Sequence, residues 1–424
     1  MKSQDLWKRA KEIIPGGTQL FSKRAELFLP DIWPTYYSYA KGIHVWDLDD
    51  CKYLDFSSMG IGTCILGYQD DDVDTRVIKA IHKGVMTTLN CKEEVELAEL
   101  LLQLHPWFDM VRFAKTGGEA TTIAIRLARA YTGKVKVAFS GYHGWHDWYL
   151  SANITKDNLS QHLLPGLEPL GVPSALVKTA LPFTNLQELE KLVQEESIGT
   201  VIMEVIRHNS PDIKYLTAIR KLCYENSIVL IFDEITSGFR ETVGGYHKML
   251  PVKPDVAVFG KGMSNGYPMS AIVGKQEIMD KAQESFISST YWTDRVGFVA
   301  SLATIDKMER EQVPSALLNS GNLIRLGWML LAKKYNLDIT IHDGFLPIIS
   351  FTFNKDHQRL RTFFTQEMLK RGYLATNTVY VSYCHTKEFI KDYINNVDEV
   401  FGLISEGKIK LNGSIAQSGF KRLV

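Results

Sequence analysis

The sequence predicts an α/β protein, with a mostly parallel sheet wrapped by helices and a smaller α+β part after it. Three observations carry this. Short apolar runs rich in β-branched residues, at 135–140, 200–204, 228–232 and 256–259, alternate with helical patterns. Continuous apolar runs of that length are typical of strands covered on both faces. Between the second and third runs, residues 213–226 place Leu216, Ile219, Leu222 and Cys223 at helical spacing, and strand–helix–strand at this pitch implies parallel pairing through a right-handed crossover. After about residue 310 the texture changes. A strand is expected at 347–353, a helix at 357–371 and a strand at 379–382. From Thr386 onward Phe389, Ile390, Tyr393, Ile394, Val397, Val400, Phe401 and Ile404 share one helical face. Pro15-Gly16-Gly17, Pro30 and Pro34 interrupt the first fifty residues, which are therefore expected to run as an arm.

Composition excludes several functional classes. The chain has 424 residues, 48 basic and 48 acidic, so no net field draws it to nucleic acid or anionic lipid. A hydrophobic share of 45% with 11% aromatics supplies a filled core rather than a disordered chain. No apolar run approaches the roughly 18 residues of a membrane span, and Met1-Lys2-Ser3-Gln4-Asp5 has no apolar leader. A cytoplasmic enzyme is the expectation. Cys51, Cys64, Cys91, Cys223 and Cys384 are scattered without a CxxC pair, so buried free thiols are expected, with neither a zinc site nor a disulfide frame.

Four stretches carry chemistry. Thr116-Gly117-Gly118-Glu119 precedes a strong helical pattern at 121–131, and glycines at a helix N-terminus let backbone N–H groups approach an anion. Gly141-Tyr142-His143-Gly144-Trp145-His146-Asp147 follows the 135–140 strand, where α/β folds bind ligands. Two histidines three residues apart without a third ligand make a weak metal site, so no metal is assigned and an aromatic in a stacking role is favoured. Asp233 and Glu234 end an apolar strand; adjacent acids need not point the same way, and Asp233 is expected to be half-buried with a cationic or N–H partner. Lys261 stands between Gly260 and Gly262 at the end of another apolar strand, where desolvation lowers an amine's pKa and makes it an imine-forming nucleophile. The same stretch contains Gly262-Met263-Ser264-Asn265-Gly266, the GxSxG spelling of a serine-hydrolase elbow. That elbow needs a helix directly after the serine, and Gly266, Pro268 and a strand-like 270–273 follow instead.

In this order the stretches resemble the class III, ornithine- and ω-type, pyridoxal-phosphate-dependent aminotransferases, and within them the glutamate-1-semialdehyde 2,1-aminomutase branch. The resemblance also takes in Ile14-Pro15-Gly16-Gly17-Thr18 and the strand pair at 45–47 and 53–56. It implies the fold of a fold type I transferase: an N-terminal arm with small-domain strands at 1–60, a large cofactor domain at 61–310 and a small C-terminal domain at 311–424. It implies pyridoxal 5′-phosphate as cofactor, small-molecule amino donor and carbonyl acceptor, and a homodimer with the site at the subunit interface. By resemblance Lys261 is the lysine that bonds to the cofactor and Asp233 the acid paired with its ring nitrogen. Tyr142 and Ile235 pack on the two ring faces, with His143 beside them. Thr116, Gly117 and Gly118 form the phosphate turn, Thr290 reaches the phosphate from the neighbouring subunit, and Glu204 and Asn209 lie near the phenolic oxygen and substrate. The departures lie mainly on the substrate side: Trp292, Arg207, His208 and Arg295 stand where the aminomutase pattern differs. An aminotransferase moving an amino group from an amino-acid donor to an aldehyde or ketone acceptor is therefore expected, with a sugar-like or acidic acceptor as one option, intramolecular amino transfer as the alternative and a Ser264 hydrolase as a remote one.

Overall fold

The computed structural model describes residues 2–162, 165–207 and 210–419. Two compact units share the chain: Met1–Asp70 with Ser315–Val424, and Asp71–Pro314.

In the first unit, a helix at Lys2–Ile13 buries Trp7 and Ala10 with Ala25, Leu29 and Trp33. The proline and glycine signals at 15–34 had pointed only to an arm, yet Trp7 and Ala10 lie on one helical face and supply the burial that holds the helix. Strands β1 (Tyr37–Lys41), β2 (His44–Asp47) and β3 (Lys52–Phe56) form an antiparallel meander.

The second unit holds β4 (Met110–Ala114), β5 (Lys136–Ser140), β6 (Ala180–Pro182), β7 (Ile198–Glu204), β8 (Val229–Asp233), β9 (Val256–Phe259) and β10 (Ser270–Gly274), in the sheet order β4-β10-β9-β8-β7-β5-β6. Strands β6, β5, β7, β8 and β9 are parallel, while β10 runs antiparallel to both β9 and β4. β4 therefore points the same way as the parallel set. Helices Leu186–Glu195 and Ile213–Glu225 cross between β6 and β7 and between β7 and β8. The second buries Leu216, Ile219 and Cys223 against Val201, Met203, Leu230 and Phe232. Its N-cap Asp212 accepts from the N–H groups of Lys214 and Tyr215, which satisfies donors the helix itself leaves open.

The C-terminal segment returns to the first unit. Strands β11 (Ile339–His342), β12 (Ile348–Phe353) and β14 (Thr378–Tyr380) form an antiparallel sheet, and β13 (Tyr373–Ala375) joins β3 in parallel. The final helix, Lys387–Ser405, buries Ile390, Tyr393, Val397, Val400, Phe401 and Ile404. No helix among the described residues is long and apolar enough to cross a membrane. The expectation that all five thiols are buried is corrected: Cys223 is buried, Cys51 is exposed, and Cys64, Cys91 and Cys384 are intermediate. Cys51 sits in the tight β2–β3 connection, where no core reaches it.

Candidate active site

The C-terminal ends of the parallel strands gather the predicted residues within the second unit. After β4 comes the turn expected to hold a phosphate. Thr116 is extended (φ −121°, ψ 154°) and caps the helix Gly117–Thr132 through a reciprocal pair: its hydroxyl accepts from Glu119 N–H, and the Glu119 carboxylate accepts from Thr116 N–H at 2.9 Å. The N–H groups of Gly117 and Gly118 have no acceptor among the described residues. A Cβ on Gly117 would lie 2.9 Å from Ile235 Cδ1, so only glycine lets that side chain close over the turn; on Gly118 it would press on the His146 ring at 3.3 Å. Two open N–H groups at the positive end of a 16-residue helix make an anion cradle.

Beyond β5, Gly141 takes φ 110°, and a Cβ there would strike Glu204 Oε2 at 2.7 Å. That close approach lets Glu204 Oε2 accept from Tyr142 N–H at 3.0 Å. Tyr149 donates its hydroxyl to Gly141 O at 2.8 Å, and His162 Nδ1 accepts from Gly141 N–H at 3.1 Å. Burial, helped by the neighbouring His143, lowers the His162 pKa to about 4, consistent with a neutral acceptor nitrogen.

Asp233, at the end of β8, is 4% exposed. The half-buried expectation is corrected to full burial, because β7 and β9 flank the strand on both sides. Its Oδ1 accepts from Ile235 N–H at 3.1 Å and its Oδ2 bonds His143 Nδ1 at 2.7 Å. The other nitrogen of His143 faces Ser140 O at 3.2 Å. His143 is thus fully engaged by protein groups and holds Asp233. Glu234 turns the opposite way and bonds His247 Nδ1 and the N–H groups of Tyr246 and His247, so the two adjacent carboxylates serve different neighbourhoods.

Lys261 follows β9 with φ 39°, a left-handed conformation that costs energy in a non-glycine residue and is concentrated at functional sites. Its Nζ donates to Thr236 Oγ1 at 2.9 Å. Burial lowers its pKa to about 8; the cations of Arg207 and Arg240 push the same way, and Glu204 and Asp233 oppose them. Thr236 and Arg240 escaped the sequence reading. Arg240 is 1% exposed and its Nε donates to Thr236 O at 2.6 Å. Thr236 lies three residues beyond Asp233, and that shared turn was the available signal.

The remaining candidates are placed differently. Arg207 pairs with both oxygens of Glu204, at 2.9 and 2.8 Å. Trp292 donates its indole N–H to Glu119 Oε1 at 3.2 Å. Arg295 forms a two-pronged pair with Glu93. Thr290 is exposed at the start of the turn Thr290–Thr293. His208 and Asn209 lie outside the described residues. Ser264 is buried and donates to Tyr267 O, and Asn265 (φ 43°) leads toward β10 rather than into a helix, so the hydrolase elbow does not form. Among the described residues, no group of three or more His, Cys, Asp or Glu is arranged to hold a metal.

The profile of the family described as Aminotransferase class-III matches residues 31–396. The chain belongs to the class-III aminotransferases. It is 32% identical over 406 residues to a 3-aminobutyryl-CoA aminotransferase of Cloacimonas acidaminovorans (strain Evry), spanning 91% of this chain and 93% of the relative. It is 30% identical over 430 residues to a glutamate-1-semialdehyde 2,1-aminomutase of Methanothrix thermoacetophila, spanning 96% of each. In fold it is similar to the FumI protein of Sphingopyxis sp. MTA144, with a TM-score of 0.86, 24% identity and 97% and 99% coverage of the two chains. As a class-III aminotransferase the protein takes pyridoxal 5′-phosphate, and the residues present fit it: open N–H groups for the phosphate, Ile235 packed on the turn, a buried acid and an amine of lowered pKa.

That amine gives this aminotransferase a pH signature. A neutral amine is the nucleophile, and a lowered pKa keeps more of it neutral near pH 8. Capture of Lys261 by an added aldehyde and borohydride, in cofactor-free protein, should rise with pH through a midpoint near 8, well short of the ordinary lysine value of 10.5. Peptide mass spectrometry across a pH series reads this directly; a midpoint near 10.5 overturns the assignment of a desolvated amine.

Proposed function

We propose that this aminotransferase moves an amino group from an amino-acid donor to an aldehyde or ketone acceptor, with Lys261 as its proton carrier. The observation that carries the reading is the Lys261 amine itself, lowered in pKa, held by Thr236 and placed one strand from the buried Asp233. When bound, pyridoxal phosphate supplies an electron-withdrawing ring that takes up the charge left as a proton leaves the substrate carbon. The chain's own residues do the rest. Gly117 and Gly118 bind the phosphate through backbone N–H groups. Ile235 and Tyr142 confine the ring. Asp233, held by His143, keeps a proton on the ring nitrogen. Lys261 Nζ takes a proton from one carbon and returns it to another, a task suited to a base with a pKa near the working pH.

Intramolecular transfer is the second reading, supported by aminomutase relatives at 29–34% identity. The two separate cleanly when glutamate-1-semialdehyde is supplied with no second amino donor or acceptor. The expected result is no sustained 5-aminolevulinate formation; efficient formation assigns the mutase activity instead. We also propose a homodimer in which Thr290 reaches the partner's phosphate turn. Its support is the exposure of Tyr291, Trp145 and Phe286, at 70, 69 and 87%, large apolar side chains of the kind that subunit contacts cover. Light scattering at twice the chain mass tests it.

A further inference from the structure

Glu119 does more than cap its helix. One oxygen, Oε2, accepts from the N–H groups of Lys115 (3.1 Å) and Thr116 (2.9 Å) and from the Thr116 hydroxyl (3.1 Å). The other, Oε1, accepts the Trp292 indole N–H. The same two segments meet again where Lys115 Nζ pairs with Asp294 and donates to Asp294 O at 3.4 Å. Two residues after Trp292, Asp294 caps the helix Arg295–Arg310, and Arg295 is clamped by Glu93. The segment is thus tied at Trp292, Asp294 and Arg295.

A carboxylate beside a phosphate cradle is electrostatically unfavourable for the phosphate unless its charge is spent on nearby donors. Here four donors spend it. Those on Oε2 occupy the N–H groups of Lys115 and Thr116, so the N–H groups left for an anion are those of Gly117 and Gly118. The Trp292 bond fixes the rotamer that makes this possible.

We infer that Trp292 is a positioning residue for cofactor retention: by holding Glu119 it fixes the phosphate turn of its own chain, and the same bond anchors the turn that carries Thr290. The part concerning Thr290 rests on the dimer reading above; the part concerning the chain's own turn does not.

The test is release of pyridoxal phosphate from holoenzyme, followed by absorbance after dilution, in W292F, E119A, E119Q, T290V and W292F/E119A. W292F should release the cofactor about tenfold faster, the scale of one lost hydrogen bond to a charged group, and E119A, which removes the acceptor of all four donors, at least as fast. E119Q, whose one amide oxygen can serve the turn or Trp292 but not both, should release the cofactor about as fast as W292F. The double variant should lose no more than E119A alone, because E119A already removes the acceptor of the Trp292 bond. Thermal unfolding of the cofactor-free W292F protein should fall only slightly below the parent, whereas a merely structural tryptophan would lower it without changing cofactor release. Wild-type release by W292F, or additive loss in the double variant, overturns the inference. Unchanged release by T290V removes the Thr290 reading and leaves the Trp292–Glu119 role standing.

Discussion

Replacing Lys261 with alanine abolishes turnover, by on the order of 10⁴-fold or more, the upper range for a positioned general base. The protein still folds. Lys261 is an unfavourable residue where it stands: it has a positive φ and an amine held below its ordinary pKa by burial and two cations. Removing that charge relieves a cost rather than a support, so the denaturation midpoint of cofactor-free K261A is expected to equal or exceed the parent near pH 7. The sign follows from linkage. A lysine whose folded pKa is depressed binds fewer protons folded than unfolded, so it costs stability below about pH 8 and the cost fades as pH rises toward 10.5. Borohydride treatment of the parent holoenzyme should fix the cofactor to the peptide carrying residue 261, and K261A should show no such adduct. Substantial residual amino transfer by K261A would falsify the assignment.

Exchanging Asp233 for asparagine comes second, with kcat/KM down by on the order of 10²–10³, the range for removing one preorganised electrostatic group. Asparagine retains an oxygen for the Ile235 N–H, so the local turn persists. What is lost is the charge, together with the strong bond to His143 Nδ1. His143 acts through Asp233, so H143F should cost less, and the double variant D233N/H143F should fall short of the sum. Binding of pyridoxal phosphate to D233N should weaken far less than kcat falls, because the phosphate cradle at Gly117 and Gly118 lies on another strand's end. An equal loss in both quantities would instead assign Asp233 to cofactor binding.

Much of this site was legible before the fold was known because strand ends are local events. The apolar run 228–232 stops at Asp233 and the run 256–259 stops at Gly260-Lys261, and in a parallel sheet those stops must fall on one edge. The class-III resemblance ordered the pieces. One helix and one strand pairing illustrate what escaped. The helix Lys2–Ile13 was hidden behind the proline signals that follow it, since what secures it is Trp7 and Ala10 packing with residues 25–33. The antiparallel placement of β10, between β9 and β4, depends on pairing that no periodicity records.

The substrate-side candidates show the same boundary more sharply. Trp292, Arg207 and Arg295 stand out in the sequence as departures on the substrate side, and each is bonded to a carboxylate of its own chain: Glu119, Glu204 and Glu93. Of these pairs only Arg207 with Glu204 is close in sequence, and the others span 173 and 202 residues. Composition and spacing determine which residues carry charge and which strands end where. They determine the cofactor chemistry because a lysine, an acid and a glycine turn at strand ends are set by short stretches of chain. Which charges are spent on one another, how deeply Asp233 is buried and which N–H groups stay open for a phosphate are decided when distant segments pack, since desolvation and hydrogen-bond competition exist only in the folded chain.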